Sequence, residues 1–359
     1  MALGDHATYF RIKNFKGFAD LEVENIGWVN LIVGDNNVGK TSLLEALHFH
    51  SAENGMDAFR HRLIQILSEV RGVQQTEKLF LDFFINRSVS DPGGIQGMEL
   101  HMKHRNAGEV VFSLEYDGRS IVRQKALWKD PNASNGSSNQ STGLREIFNS
   151  DSNHATGLEM DSINAPAPKV ALPYIPVNRG YAPDLVSYYS LHIQQHAQIK
   201  RQMLEDLQIL IPSLESFEPS QLTQPATLVL FLSDSAGSIS LPMMGEGAIK
   251  LFRILAEVIV WKGQRLMIDE IDTGFHHSRM RPFWKTLLSA ARRHETQIFA
   301  TTHNLECIQH LLRTLQEDLP EFQEHVRVIR LARVRSGIKA YTYPYAEFES
   351  AIENENELR

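Results

Sequence analysis

The 359-residue sequence predicts an α/β fold, a mostly parallel sheet flanked by helices with an inserted antiparallel β subdomain and a short helical insertion. Three observations predict it. Short apolar runs alternate with amphipathic stretches of helical length, the pattern of βα units. The run Leu31-Ile32-Val33 ends in a glycine-rich loop that leads straight into a helix. A later run, Leu266-Met267-Ile268, ends in two adjacent carboxylates.

Each element follows from its pattern. Apolar and polar residues alternate over 9–23 (Phe10, Ile12, Leu21, Val23) around Lys16-Gly17, which predicts a hairpin. Residues 28–33 form the next strand, and 42–50 a helix with Leu43, Leu44 and Leu47 on one face. A helical patch at 63–70 and strand-like runs at 79–85, 98–103, 110–116 and 120–127 make up the inserted subdomain, residues 51–129. Its turns fall at Asn106-Ala107-Gly108 and Asp117-Gly118. Residues 130–168, rich in Asn, Ser, Gly, Asp and Pro, read as a flexible linker or loop. A strand at 170–175 precedes an amphipathic helix at 184–211, within a helical insertion at about 184–216. Strands at 226–232, 266–268 and 297–301 then alternate with helices at 247–261, 278–293 and 305–316. Residues 1–50 and 170–345 form the head, and 346–359 a charged helical tail.

Composition excludes several classes. An apolar share of 42% and a charged share of 22% are those of a globular protein with a sizeable core. The net charge of −7 argues against a surface coated in basic residues for nucleic acid, while leaving a local patch open. A single cysteine, Cys307, excludes an intramolecular disulfide framework and fits a reducing compartment. The N-terminus lacks the basic start and apolar core of a signal peptide, and no run approaches the roughly 20 apolar residues of a membrane span. The expectation is a soluble cytoplasmic protein that does not enter the membrane.

Gly34-Asp35-Asn36-Asn37-Val38-Gly39-Lys40-Thr41 fits the phosphate-loop pattern G-x-x-x-x-G-K-[ST]. Backbone N–H groups of such a loop and of the following helical turn point at phosphate oxygens, where the helix dipole also favours negative charge. The expected nucleotide-binding residues are Gly34, Asn36, Asn37, Val38, Gly39, Lys40, Thr41 and Ser42. Lys40 serves the β- and γ-phosphates, and the Thr41 hydroxyl is a magnesium ligand. Asp269, at the end of the apolar strand, is the second expected ligand of Mg2+, and Glu270 polarises the attacking water. His303, past the strand at 297–301, is placed to contact the γ-phosphate. The cofactors implied are ATP and Mg2+, and the catalytic set is Glu270, His303 and Lys40.

Together these motifs resemble the ABC/SMC-type ATPases, P-loop NTPases with an ABC-ATPase-like head. In those families a glycine-rich signature acts on ATP held by the opposite subunit, which makes Met244, Gly245, Glu246 and Gly247 the expected signature in trans. Met243-Met244-Gly245-Glu246-Gly247 departs from L-S-G-G-Q in lacking the serine. This form, with Ile268-Asp269-Glu270-Ile271-Asp272-Thr273-Gly274-Phe275-His276-His277 and Phe299-Ala300-Thr301-Thr302-His303, resembles the OLD-family ATPases, many of whose compact prokaryotic relatives serve antiphage systems. The resemblance implies a homodimer with ATP at the interface. Asp272 falls in the D-loop region and would cross that interface. Asn178 and Arg179 lie where a Q-loop is expected, without its glutamine; a nucleotide contact and a plain turn both stand.

Other features carry less. His276 and His277 point apart on a helix and have no further zinc-spaced partners. Arg327, Arg330, Arg333, Arg335 and Lys339 form a basic run that suits a strand edge better than a nucleic-acid surface. Cys307 reads as buried. OLD-family nucleases carry a Toprim domain after the ATPase, and too few residues follow His303 for one. The expectation is therefore a dimeric switch controlling a separate effector, a Toprim or HNH nuclease, in antiphage defence. The alternative is an SMC- or repair-type ATPase acting directly on DNA, against which the missing coiled-coil arms weigh.

Overall fold

Alternating burial makes the N-terminal segment a hairpin. β1 (Ala7–Phe15) pairs antiparallel with β2 (Phe18–Val23), and Phe15 faces Phe18 across the Lys16-Gly17 turn. Phe10, Ile12, Leu21 and Val23 are all buried, as the alternation requires. The computed structural model describes residues 6–48, 96–105, 108–116, 121–129, 144–151, 174–177, 184–220, 226–234 and 237–354. Next come β3 (Val29–Val33) and α1 (Lys40–His48), then β4 (Gln96–His104), β5 (Gly108–Tyr116), β6 (Ile121–Lys129) and β7 (Leu144–Asp151).

Two compact units divide the chain, one of Met1–Gly27, Val33–Leu172 and Ile329–Thr342, the other of Trp28–Ile32, Pro173–Val328 and Tyr343–Arg359. The first contains an antiparallel sheet in the order β2-β1-β4-β5-β6-β7. This differs from the expected insertion at 51–129. β4 pairs with β1, so its strands complete the sheet that the N-terminal hairpin begins. The reason is a shared apolar face: Phe10 lies opposite Met102 and Ile12 opposite Leu100, and all four are buried.

A second difference concerns the expected linker at 130–168. Its segment Leu144–Asp151 is the strand β7, which pairs along β6 from Lys129 to Arg123. Polar composition misled because Leu144, Ile147 and Phe148 are few, yet the edge of β6 supplies backbone partners for the whole run. The rest of that span, and the runs expected at 63–70 and 79–85, lie outside the described residues.

The second unit begins its long segment with β8 (Tyr174–Ile175), α2 (Leu185–Tyr189) and α3 (Ala197–Leu210). The single helix expected at 184–211 is broken: α2 runs into a π-helical turn, Ser190–Gln194, and His196 is extended before α3 starts. The break still buries Tyr188, Tyr189, Ile193, Met203 and Leu207. A three-stranded antiparallel sheet follows, with β10 (Thr227–Leu232) between β9 (Leu214–Ser220) and β11 (Ser238–Ser240). Among these only β10 was legible. β9 buries Leu214 and Phe217 at a spacing of three and contains Pro219, which hides a period-two pattern.

Then come α4 (Glu246–Val260), β12 (Arg265–Ile268), α5 (His277–His294), β13 (Gln297–Thr301) and α6 (Leu305–Arg313). The chain continues with β14 (Val326–Val334), β15 (Gly337–Tyr343) and α7 (Tyr345–Glu353). β3, β13, β12 and β8 are parallel neighbours in that order. β13 is fully buried and β12 nearly so, which is why both read as continuous apolar runs. In register, Ile268 lies beside Ala300 and Ile175, and Thr301 beside Ile32. The carboxyl ends of the strands thus meet along one edge, where open α/β sheets place their chemistry.

Candidate functional site

In the first unit, the loop after β3 is shaped by two glycines that no other residue could replace without strain. Gly34 has φ +139°, and a β-carbon there would lie 2.3 Å from the Leu331 carbonyl oxygen. Gly39 has φ +106°, with the Phe18 ring 2.9 Å from the same hypothetical atom. Between them Asn37 takes φ +62°, a left-handed conformation that asparagine tolerates, and Val38 is buried. Asn36 is exposed. Lys40 opens α1, and its ammonium donates to the carbonyls of Gly34 at 2.7 Å and Asp35 at 2.9 Å. That places a cation over the loop, where phosphate oxygens would compete with two neutral carbonyls for it. Thr41 and Ser42 are half-buried in the first turn of α1, and Leu43 donates its N–H to the Gly39 carbonyl. Glu45, buried on the same helix, pairs with Lys16 of the hairpin turn.

In the second unit, the ends of β12 and β13 are tied together by hydroxyls. Asp269 is 6% exposed, and its carboxylate accepts a hydrogen bond from Thr301 Oγ1 at 2.5 Å. Thr301 Oγ1 in turn accepts the N–H of Glu270 at 2.8 Å. Tyr174, from β8, reaches the other Asp269 oxygen at 3.5 Å. Glu270 itself adopts φ +45°, which turns its side chain out of the strand line. Its carboxylate is 38% exposed, 3.3 Å from Thr273 Oγ1 and 3.9 Å from His303 Nδ1. The two acids therefore differ in kind: Asp269 is buried and fixed, Glu270 open and reachable by water. His303 is 53% exposed and beyond hydrogen-bond distance of Glu270.

Asp272, the expected D-loop residue, follows in the turn after β12. It is buried within its own unit, where Thr302 Oγ1 donates to it at 2.6 Å; the exposed residues of this turn are Thr273 and Gly274. The signature residues end a 3-10 turn, Leu241–Met244, and start α4. Gly245 has φ +90°, Glu246 is exposed, and Met244 is half-buried. Gly247 packs against the backbone after β12, since a β-carbon on it would lie 2.7 Å from the Gly274 carbonyl oxygen. Asn178 and Arg179 lie outside the described residues.

Two contributors were missed by the sequence reading. Thr301 clamps both acids, and Lys250 of α4, fully buried, donates from Nζ to the Glu270 carbonyl at 2.5 Å. Burial pushes the Lys250 ammonium down to about 8, against the pull of Asp272 and Glu270. A signal existed: Lys250, Arg253 and Glu257 recur at helical spacing inside an otherwise apolar helix. Arg253 and Glu257 form an ion pair at 2.7 Å, and Glu257 also accepts from Tyr188 at 2.6 Å and Trp261 at 2.9 Å. Cys307 is buried, which pushes its thiol up and leaves it inert. His276 and His277 do not point apart as expected: His276 is the extended N-cap residue before α5, and its ring lies 4.0 Å from that of His277. Among the described residues no cluster of three metal-ligating side chains forms. No helix among the described residues is long and apolar enough to cross a membrane.

Taken separately, each unit fits part of a nucleotide and its metal in donor chemistry: the first offers a lysine, backbone amides and a hydroxyl suited to phosphates and their cation, the second a carboxylate suited to a hard cation. Residues 29–308 match a family described as "AAA domain, putative AbiEii toxin, Type IV TA system". The chain is 24% identical over 380 residues to a Helicobacter pylori protein named "ATP/GTP phosphatase", covering 97% of this chain and 98% of that one. It is also 35% identical over 117 residues to an uncharacterized protein of Methanocaldococcus jannaschii, 32% of this chain and 48% of that one. Among solved structures, an SMC head bound to the C-terminal winged-helix domain of ScpA is similar, with TM-score 0.54, 13% identity and coverage of 97% and 99% of the two chains. The SMC head domain from Thermotoga maritima gives TM-score 0.50 at 12% identity, covering 94% and 99%. These two likenesses confirm the fold class.

Proposed function

The chain belongs to this AAA family and is an ATPase, and from that premise we propose that it hydrolyses Mg-ATP through the residues its motifs single out. The observation that carries this is the division of labour at the end of β12. A buried carboxylate held by a hydroxyl suits a permanent metal ligand, and an open one on a twisted backbone suits water activation. In the first unit Lys40, Gly34, Gly39 and the amides of the loop would hold the phosphates and Thr41 would offer its hydroxyl to magnesium; in the second, Asp269 would offer a carboxylate to magnesium and Glu270 would orient and deprotonate water. His303 contacts the γ-phosphate. The name of the Helicobacter pylori relative supports hydrolysis and adds GTP as a second substrate to assay.

The finer reading is an OLD-type switch in which ATP closes a homodimer. Met244 to Gly247 of one subunit complete the γ-phosphate site of the other, and a separate effector, a Toprim or HNH nuclease of a prokaryotic defence system, reads the state. The resemblance of the motifs supports it, as does the exposed glycine turn Gly245 at the start of α4. The test has two arms. Phosphate release should require Mg2+ and vanish in Lys40→Ala together with nucleotide affinity in calorimetry; unchanged affinity would defeat the phosphate-loop assignment. Light scattering of Glu270→Gln with ATP should report a dimer, and a monomer at saturating ATP would remove the switch. Turnover stimulated many-fold by DNA would favour the DNA-acting alternative instead.

A further inference from the structure

We infer that Lys250 is a positioning residue for Glu270, a strut that links the start of α4 to the backbone of the water-activating carboxylate. The inference rests on the reading of Glu270 given above. Glu270 holds φ +45°, a conformation that a non-glycine residue keeps only when its surroundings fix it. Its N–H is fixed by Thr301 Oγ1 at 2.8 Å. Its carbonyl accepts from the Thr273 N–H at 3.1 Å and from Lys250 Nζ at 2.5 Å. Two of these partners lie on neighbouring strand-end segments. Lys250 alone comes from the helix that carries the signature residues.

Packing alone does not explain a lysine at this place. It is buried to 1% exposure on a helix whose adjoining residues Leu251, Phe252, Ile254 and Leu255 fill the core. A methionine would fill similar volume without desolvating an ammonium, so the retained cost points to what the charge does. The ammonium lies in the electrostatic field of Asp272 and Glu270 and, more weakly, of Asp269, the three acids all in the turn after β12. Gly247, three residues earlier on α4, meets the backbone of Gly274 in the same turn. One end of α4 thus grips this turn by a charge and by a close backbone approach. A shift of the helix start would rotate the Glu270 peptide and re-aim its carboxylate, so turnover would follow the position of the signature residues.

The test is a double-mutant cycle of steady-state ATP turnover with Lys250→Met and Glu270→Gln. Lys250→Met should lower kcat about 10- to 100-fold with KM and nucleotide affinity unchanged, the scale of a catalytic group misplaced by an ångström or less. In the Glu270→Gln background the same substitution should cost nothing further, because the strut acts through that carboxylate. Wild-type kcat in Lys250→Met, or losses that multiply in the double variant, would overturn the inference. If Lys250→Met does not fold, Lys250→Gln is read by the same two criteria. Wild-type turnover in Glu270→Gln would instead defeat the reading of Glu270, an outcome distinguishable because it appears without any change at Lys250.

Discussion

Replacing Gly34 by alanine should unfold the protein more easily than the same change at Gly337, and the difference measures how tightly the phosphate loop is packed. Both glycines lie at positive φ in the same unit, at +139° and +123°. A side chain at either position carries backbone strain of about 1–3 kcal/mol. At Gly337 no heavy atom lies within 4 Å of the added carbon, so strain is the whole cost. At Gly34 the added carbon would lie 2.3 Å from the Leu331 carbonyl oxygen and 3.2 Å from Val38 Cγ1. The carbonyl belongs to β14 backbone and cannot swing aside like a side chain, so the loop itself must move. Overpacking of that kind costs about 1–3 kcal/mol beyond the strain. At about 2–4 °C per kcal/mol for a protein of this size class, Gly34→Ala should melt roughly 2–12 °C below Gly337→Ala. Circular dichroism on heating, with urea unfolding as a second reading, decides it. Equal shifts for the two variants, or a smaller one for Gly34→Ala, would refute the packing argument.

Two further predictions concern the second unit. Thr301→Val removes the hydroxyl that donates to Asp269 and accepts from the Glu270 N–H, so each loses one hydrogen bond, at a cost of about 1–3 kcal/mol. Urea unfolding should show that loss in Thr301→Val and not in Thr301→Ser; identical midpoints for the two would contradict it. Glu257→Ala strips the carboxylate from Tyr188, Trp261 and Arg253; Arg253 keeps Asp184 at 2.6 Å, so the loss should be that of the hydroxyl and indole partners, about 1–3 kcal/mol. A change below 1 kcal/mol in the same assay would show that the network relaxes or rehydrates.

What the sequence made legible was what is local in the chain. The phosphate loop could be read because Gly34, Gly39 and Lys40 act through backbone geometry within eight residues. Asp269 and Glu270 could be read because an unbroken apolar strand precedes them and buries completely. The long apolar strands and the helices around them were legible for the same reason. Elements that depend on distant partners were not. β7 exists because β6 offers an edge, and β4 joins β1 because Phe10 and Ile12 need Leu100 and Met102, facts that no window of sequence contains. Thr301 and Lys250 look like an ordinary strand residue and an ordinary helix residue until the fold brings them to Glu270 from 31 and 20 positions away. Asp272 is similar: the Thr302 hydroxyl that donates to it comes from 30 positions away.

The central claim is that Glu270 activates water while taking no part in holding the nucleotide. Its most direct measurement compares Glu270→Gln with the wild-type protein, using calorimetry for ATP affinity and phosphate release under single-turnover conditions for chemistry. The substitution keeps the size of the side chain and the backbone contacts to Thr301, Thr273 and Lys250, so folding and binding should stay as they are. Affinity should be unchanged within a factor of two or so while the chemical step slows about 10²- to 10⁴-fold, the range for a general base. A chemical step at the wild-type rate, or a loss fully explained by weaker binding, would contradict the account.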